Sequence, residues 1–84
     1  MANGTTKVWM DQLSDDIQAS EWGSVRSFAS RGLEMNYHVF RRYLVGEREI
    51  PFWLLMDAIA KLGFSFSEYE QRVQARAEAE ASEE

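Results

Sequence analysis

The stretch from Val25 to Pro51 limits the possible folds of this chain more than any other. It contains a segment with apolar and small residues at helical spacing, a short break, a second helical segment with two adjacent arginines, and then Gly46. Two helices joined by such a turn form a helix-turn-helix, which lays its second helix in the major groove of DNA. The sequence therefore predicts an all-α protein, a compact bundle of about five helices built around this unit.

The size and composition fit one small domain. A chain of 84 residues with 45% hydrophobic residues can bury one core, and an aromatic content of 13% excludes a disordered chain. Because there is no cysteine, disulfides and thiolate chemistry are excluded. No apolar run approaches the roughly 18 residues of a membrane span, and the N-terminus lacks the pattern of a secretion signal. We expect a protein of the prokaryotic cytoplasm.

The charge is distributed unevenly along the chain. The whole protein carries a net charge of −5, but five arginines stand against three glutamates between Trp22 and Leu54. The arginines of this middle segment are Arg26, Arg31, Arg41, Arg42 and Arg48. A basic middle with acidic flanks is compatible with DNA binding, since affinity depends on the face that meets the phosphates.

The first helix is predicted to begin at a threonine cap at residue 5 or 6 and to end near Ala19. Its apolar stripe consists of Trp9, Leu13 and Ile17, with Met10 beside them. Its other face carries Asp11, Asp15 and Asp16. Three carboxylates on one face can hold a hard cation, but no glycine-containing, oxygen-rich loop accompanies them. We therefore interpret them as a solvated acidic face and expect no metal and no cofactor.

The helix-turn-helix is predicted to start after Ser24, a suitable N-cap. Helical spacing then places on one face Val25, Phe28, Ala29, Gly32 and Leu33. Small side chains that would let the two helices cross closely are Ala29, Ser30 and Gly32. Residues 34–36 form the predicted turn, in which Met35 points inward and Asn36 caps the next helix.

The second helix of the unit, predicted from Tyr37 to Val45, presents a polar face. That face comprises Asn36, Tyr37, His38, Arg41 and Arg42. Arginine pairs with the guanine edge and asparagine with the adenine edge in the major groove, so this face is predicted to lie in the groove. Arg48, in the loop after Gly46, is placed for a phosphate contact, which positions the protein without specifying sequence.

Each of these residues also has an ordinary structural explanation. Two adjacent arginines on a helix are commonly a solvated pair, and a lone histidine such as His38 commonly packs or lies at the surface. Tyr37 can pack against the protein, touch a phosphate or contact a thymine methyl group. The DNA-binding interpretation depends on their arrangement together after a small-residue helix and a short turn.

Two further helices are predicted in the C-terminal half. Pro51 opens a helix that is apolar nearly all round, with one face formed by Phe52, Leu55, Ile59 and Leu62. A helix this apolar is either central to the core or buried against a partner. Trp53 fits either a core position or an exposed partner surface. Ser65 and Glu68 fit a capping box for the last helix, with Phe64 and Tyr69 as a hydrophobic staple.

Three parts of the chain are distinguished by composition. We expect residues 1–5 to be a disordered N-terminus and residues 6–74 to form the helix-turn-helix domain. Residues 75–84, ARAEAEASEE, have high helix propensity but little apolar face. They are expected to form an acidic tail that is partly helical or frayed.

With these residues in place, the chain resembles the phage-repressor and Cro-like helix-turn-helix family, also called the XRE family. Residues 42–51, RYLVGEREIP, are similar to the R-Y-x-x-G-x-R-x-I-P stretch that follows the recognition helix in that family. Residues 59–65, IAKLGFS, resemble the end of its fourth helix. The resemblance covers about Val25 to Gln71. The chain departs from the family pattern in its acidic first helix, at Trp53, and at Glu34, where the turn usually has glycine.

The resemblance implies a λ repressor-like bundle of five helices that binds operator DNA, commonly as a dimer. It places at base-contacting positions Asn36, Tyr37, His38 and Arg41. Phosphate contacts are expected at Arg26, Arg42 and Arg48. A dimer or partner surface is expected at Phe52, Trp53, Phe64, Phe66 and Tyr69.

These observations predict a sequence-specific DNA-binding transcriptional regulator, a repressor or Cro-like protein, with double-stranded DNA and a second copy as partners. The alternative is a protein-interaction module on the same scaffold, antirepressor- or antitoxin-like, for which the acidic first helix and exposed aromatic residues would be the binding surface. An enzyme is not expected, because the chain has one histidine, no cysteine, no phosphate-cradling loop and no evident pair of carboxylates in a pocket.

Overall fold

The computed structural model describes residues 4–82 and contains five helices, without a strand among these residues. The helices are α1 (Gly4–Ala19), α2 (Val25–Ser27), which continues as a π-helical segment (Phe28–Gly32), α3 (Tyr37–Leu44), α4 (Phe52–Lys61) and α5 (Phe66–Ser82). The all-α bundle expected from the sequence is confirmed.

One hydrophobic core receives side chains from all parts of the bundle. The buried apolar residues are Met10, Leu13, Ile17, Phe28, Ala29, Phe40, Leu54, Ala58, Ile59, Tyr69 and Val73. Each helix contributes one stripe, as its 3.6-residue period dictates. The apolar stripe predicted for α1 is confirmed, with Trp9 half-buried against the rings of Phe66 at 5.5 Å and Tyr69 at 6.1 Å.

Side-chain caps determine where the helices of the helix-turn-helix begin. Ser24 Oγ accepts a hydrogen bond from the backbone N–H of Ser27 at 3.1 Å. Asn36 Oδ1 accepts from the backbone N–H groups of His38 at 2.8 Å and Val39 at 3.4 Å. Both predicted N-caps are therefore confirmed, and each satisfies N–H groups that a helix start otherwise leaves unpaired.

The capping box before α5 is also confirmed. Ser65 Oγ accepts from the backbone N–H of Glu68 at 3.2 Å, and Glu68 Oε1 accepts from the backbone N–H of Ser65 at 3.1 Å. The backbone hydrogen bond from Ser65 holds the pKa of Glu68 below its ordinary value. The rings of Phe64 and Tyr69 lie 5.4 Å apart and close the predicted staple.

The helix before the turn widens into a π-helical segment. Leu33 N donates to Phe28 O at 3.0 Å, and Met35 N donates to Ala29 O at 3.0 Å. Gly32 is buried against Trp22, where an added Cβ would lie 3.4 Å from the indole ring. The small residue at position 32 therefore makes room for the Trp22 ring. It had been predicted to let the helix before the turn and α3 cross closely.

The turn between the two helices is held by a glutamate in a conformation that favours glycine. Glu34 has φ +52°, and no other non-glycine residue within 4–82 has a positive φ. The left-handed backbone conformation that glycine adopts most readily is therefore present at residue 34. A non-glycine residue in this region costs roughly 1–2 kcal/mol.

The apolar face grouped from the sequence of α4 is divided between the core and the surface. Leu54, Ala58 and Ile59 are buried, whereas Phe52, expected on a dimer or partner surface, is 64% exposed. Because α4 is apolar nearly all round, its periodicity did not identify the inward face.

Both ends of the described part of the chain are helical. Helix α1 begins at Gly4, so residues 4 and 5 are helical, while residues 1–3 of the predicted disordered N-terminus lie outside the described part. Helix α5 continues to Ser82, through most of the predicted tail. It does so partly because Arg76 within that tail donates to Asp15 Oδ2 of α1 at 2.7 Å.

The acidic face of α1 is an ion-paired seam with α5 rather than a purely solvated surface. Arg72 Nη2 lies 2.6 Å from Asp16 Oδ1, and the Asp16 side chain is 12% exposed. Burial alone would raise the pKa of Asp16, but hydrogen bonds from Arg72 and Gln12 outweigh it and lower that pKa. Burial, with the neighbouring Asp16, raises the pKa of Tyr69 far above its ordinary value. The Tyr69 hydroxyl faces this carboxylate without forming a well-aligned hydrogen bond to any described residue.

Candidate nucleic-acid interface

The exposed face of α3 carries most of the side chains predicted to contact DNA. Phe40 is buried and Tyr43 and Leu44 are half-buried, which fixes the side of the helix that faces the core. The exposed residues are His38, Val39, Arg41, Arg42 and, directly after the helix, Val45. This amphipathic arrangement leaves the outward side of α3 available to a groove.

The two adjacent arginines of α3 lie on different sides of this exposed face. Arg41, with Tyr37 one turn earlier, borders a cleft of about 550 Å³ between α1 and α3. Arg42 lies one turn after His38, and neither residue borders that cleft. His38 and Arg42 therefore form the outward centre of the face, and Arg41 and Tyr37 flank it on the α1 side.

Asn36 is engaged in capping. Its Oδ1 accepts the two backbone hydrogen bonds that start α3. Bidentate recognition of adenine requires both Oδ1 and Nδ2 of an asparagine. Because Oδ1 already serves the cap, the Nδ2 group is the part of Asn36 that remains for a base.

Tyr37 is held in place by two neighbours. The guanidinium carbon of Arg26 lies 4.6 Å from the centre of the Tyr37 ring, and the His38 ring meets it edge-on at 5.2 Å. Cation–π contacts of this kind order both side chains. Of the three possibilities left open for Tyr37, the structure shows packing, and it links the start of α2 to the start of α3.

The arginines of the helix-turn-helix differ from those of α5 in their partners. Arg72 and Arg76 are both ion-paired with α1. The five arginines of the middle segment are exposed and form no ion pair within the described part of the chain. Among residues 4–82, Lys61 is the other cation without an ion pair. Exposed cations that no carboxylate neutralises are available to phosphates.

The loop after α3 is folded back onto the end of that helix. The backbone N–H groups of Glu47 and Arg48 both donate to Arg42 O, at 2.9 and 3.2 Å. Gly46 makes this turn possible with φ +85°. The exposed Arg48 is therefore tied to the C-terminal end of the candidate recognition helix, as a phosphate contact beside a groove requires.

The predicted partner surface is only partly at the surface. Trp53 is 68% exposed and forms with Phe52 and Met56 what we call the α4 patch. Tyr69, predicted on this surface, is instead 0% exposed, because its ring completes the core between α1 and α5. Two other predicted members are half-buried, with Phe66 against Trp9 and Phe52, and Phe64 beneath the Arg72 guanidinium.

Three exposed residues were not assigned to a site from the sequence. Arg31 lies in the last turn of the π-helical segment and is one of the arginines without an ion pair among the described residues. The charge count included Arg31 but assigned it no site. Val39 is exposed on α3, and Met56 is exposed on α4. Apolar residues are assigned to a core by default, so neither position carried a sequence signal of exposure.

No family model, curated protein or solved structure matches this chain. Within the described residues, none of the helices combines the length and apolar character needed to cross a membrane.

Proposed function

We propose that this protein is a sequence-specific DNA-binding transcriptional regulator whose helix α3 enters the major groove. The observation that carries the proposal is the distribution of arginine partners. Arginines of α5 are neutralised by α1, while those of the helix-turn-helix stay exposed and unpaired among the described residues. A protein with a net charge of −5 needs such a local concentration to bind DNA.

Base recognition in this proposal is centred on His38 and Arg42, so Arg42, for which the resemblance implied a phosphate contact, is proposed as a base contact instead. Both lie on the outward side of α3, and arginine is the commonest bidentate partner of guanine. Arg41 and Tyr37 would contact the edge of the site on the α1 side. Asn36 would contribute its Nδ2 donor while its Oδ1 keeps the helix start in place.

Phosphate contacts would hold α3 in register. Arg26 and Arg48 stand near the two ends of the helix-turn-helix, the first against the Tyr37 ring and the second on the loop after α3. These contacts contribute affinity that does not depend on sequence and that falls as salt is raised.

A second copy would bind through the α4 patch, which is the most exposed apolar surface among the described residues. Two copies related by a two-fold axis would contact half-sites about 34 Å apart, or multiples of that spacing.

A protein-interaction module is the second candidate function, and the α4 patch is the observation that favours it. A Trp and Phe exposed side by side are frequent anchors of protein interfaces. The acidic face of α1, however, is a weaker argument for a protein partner than the sequence indicated, because Asp15 and Asp16 are occupied by α5 arginines.

Selection from random duplex DNA at two salt concentrations separates the two functions. The regulator predicts an enriched motif with two-fold symmetry and an affinity that falls steeply as salt rises. A folded, helical protein that enriches no motif would contradict the proposal and favour the protein-interaction module.

A further inference from the structure

Val39 is an apolar side chain on the outward part of α3. It is 37% exposed, although it lies in the middle of the helix and is β-branched. Valine has only moderate helix propensity, and the part of its surface that stays exposed gains nothing from burial. Neither helix propensity nor the core therefore accounts for this exposed part.

Val39 lies beside the residues that we place at the centre of the DNA-binding face. It precedes Arg42 by three positions, a spacing at which helical side chains are neighbours. A ligand that contacts Arg42 on this side would therefore also meet the γ-methyl groups of Val39.

We infer that Val39 recognises the 5-methyl group of a thymine in the bound DNA. This inference rests on the proposed function and adds a specificity-determining residue to it. Among the base edges of the major groove, the 5-methyl group of thymine is the apolar one, and the other groups there are hydrogen-bond donors and acceptors. An apolar side chain gains nothing from contact with a phosphate. The thymine methyl group is therefore the DNA group with which the exposed surface of Val39 can make a favourable contact.

Val45 provides a matched comparison. It is 51% exposed and follows α3 directly, but it borders the cleft between α1 and α3 together with Arg41. It lies three positions after Arg42, as Val39 lies three before it, so the two valines flank Arg42 on opposite sides and Val45 is the one on the α1 side. The same substitution at the two valines separates a specific contact from a general effect of lost apolar surface.

The test replaces each thymine of the selected duplex, one at a time, by deoxyuridine, which removes the methyl group alone. Selection from unmethylated DNA ensures that thymine is the source of any such methyl group. One buried methyl group is worth about 0.8 kcal/mol, so at one position the wild-type protein should bind about fourfold more weakly. Val39→Ser should bind the thymine and deoxyuridine duplexes equally at that position. Val45→Ser should keep the wild-type difference, and circular dichroism confirms that both variants are helical.

The inference would be overturned if no deoxyuridine substitution changed the affinity of the wild-type protein. It would also be overturned if Val39→Ser lost as much affinity as wild type when the thymine is replaced by deoxyuridine. Either result would leave the proposed function unaffected. If the selection enriched no motif, both the inference and the proposed function would be overturned. That outcome is seen in the selection itself, before any deoxyuridine duplex is made, so the two failures are distinguishable.

Discussion

The turn of the helix-turn-helix depends on one strained residue, Glu34. A glycine at this position would adopt φ +52° without a steric penalty, although it also has more freedom to lose on folding. We therefore predict that Glu34→Gly raises the free energy of unfolding by about 0.5–1 kcal/mol, measured by urea denaturation.

Glu47→Gly is the control for this prediction. It removes the same charge from an exposed loop residue whose φ is not positive. It should leave stability unchanged or lower it slightly. Equal effects of the two substitutions would show that charge, and not backbone conformation, is the cause.

Arg48 is a single-residue test of the phosphate contacts. Because it lies on the loop after α3 and forms no ion pair with any residue of 4–82, its removal should not disturb the fold. We predict that Arg48→Ala weakens binding to the selected and to an unrelated duplex by similar factors. It should also lower the slope of log affinity against log salt by about 0.9. A loss confined to the selected duplex would instead assign Arg48 to base recognition.

At the scale of helices, the α1–α5 seam explains why the C-terminal helix is long. The seam joins residues at least 56 positions apart in sequence, with Asp16 bound by Arg72 and Asp15 bound by Arg76. Each pair is partly solvated, so its stabilisation is modest, but the Asp16 pair combines low exposure with several hydrogen bonds. The Asp15–Arg76 pair attaches α5 to α1 beyond the last buried residue of α5, Val73.

The seam makes stability dependent on pH in the acidic range. The pKa of Asp16 is lowered by folding, so its contribution is present above its unfolded pKa, about 3.9, and is lost as the pH falls through the folded value. We predict that Asp16→Asn lowers the free energy of unfolding by about 1–2 kcal/mol at pH 7. The difference from wild type should shrink as the pH falls below about 4. Asp11→Asn, which breaks an exposed pair with Lys7, should change stability little, and a pH-independent loss in Asp16→Asn would contradict this account.

Local interactions were the part of the fold that the sequence predicted well. The caps at Ser24, Asn36 and Ser65 involve residues no more than three positions apart, so their spacing is visible in the sequence. The seam and the burial of Tyr69 depend on which distant helices meet, and no local pattern records that. The inward face of α4 could not be predicted because both faces are apolar.

At the scale of the whole molecule, positive charge and exposed apolar surface are concentrated in different elements. The unpaired arginines lie between residues 26 and 48, while the α4 patch consists of Phe52, Trp53 and Met56. Exposure of the arginines could be predicted from the sequence, because charged side chains are rarely buried. The sides of α3 on which Arg41 and Arg42 lie could not be predicted, because they depend on how α1 packs against α3. Assembly through the patch can therefore be tested apart from DNA contact.

We predict that Trp53→Ser leaves binding to a single half-site within about twofold but weakens binding to a pair of half-sites by tenfold or more, since a central aromatic anchor commonly contributes about 2 kcal/mol. Titrations of both duplexes, followed by fluorescence anisotropy, measure this difference. Trp53→Phe is the control and should retain most of the pairing. If single-site binding fell as far as paired binding, Trp53 would have to act on DNA or on folding and not on assembly.

The central claim is that the unpaired arginines of the helix-turn-helix, and not positive charge in general, bind DNA. The measurement that tests it most directly is the affinity of Arg42→Ala and Arg76→Ala for the selected duplex at one salt concentration. The two variants lose the same charge, but Arg76 is ion-paired with Asp15, whereas Arg42 is exposed without an ion pair to any described residue. We expect Arg42→Ala to bind about tenfold more weakly or worse, as the loss of a bidentate base contact requires, and Arg76→Ala to stay within about twofold of wild type. Equal losses in the two variants, or an unchanged affinity in Arg42→Ala, would contradict the claim.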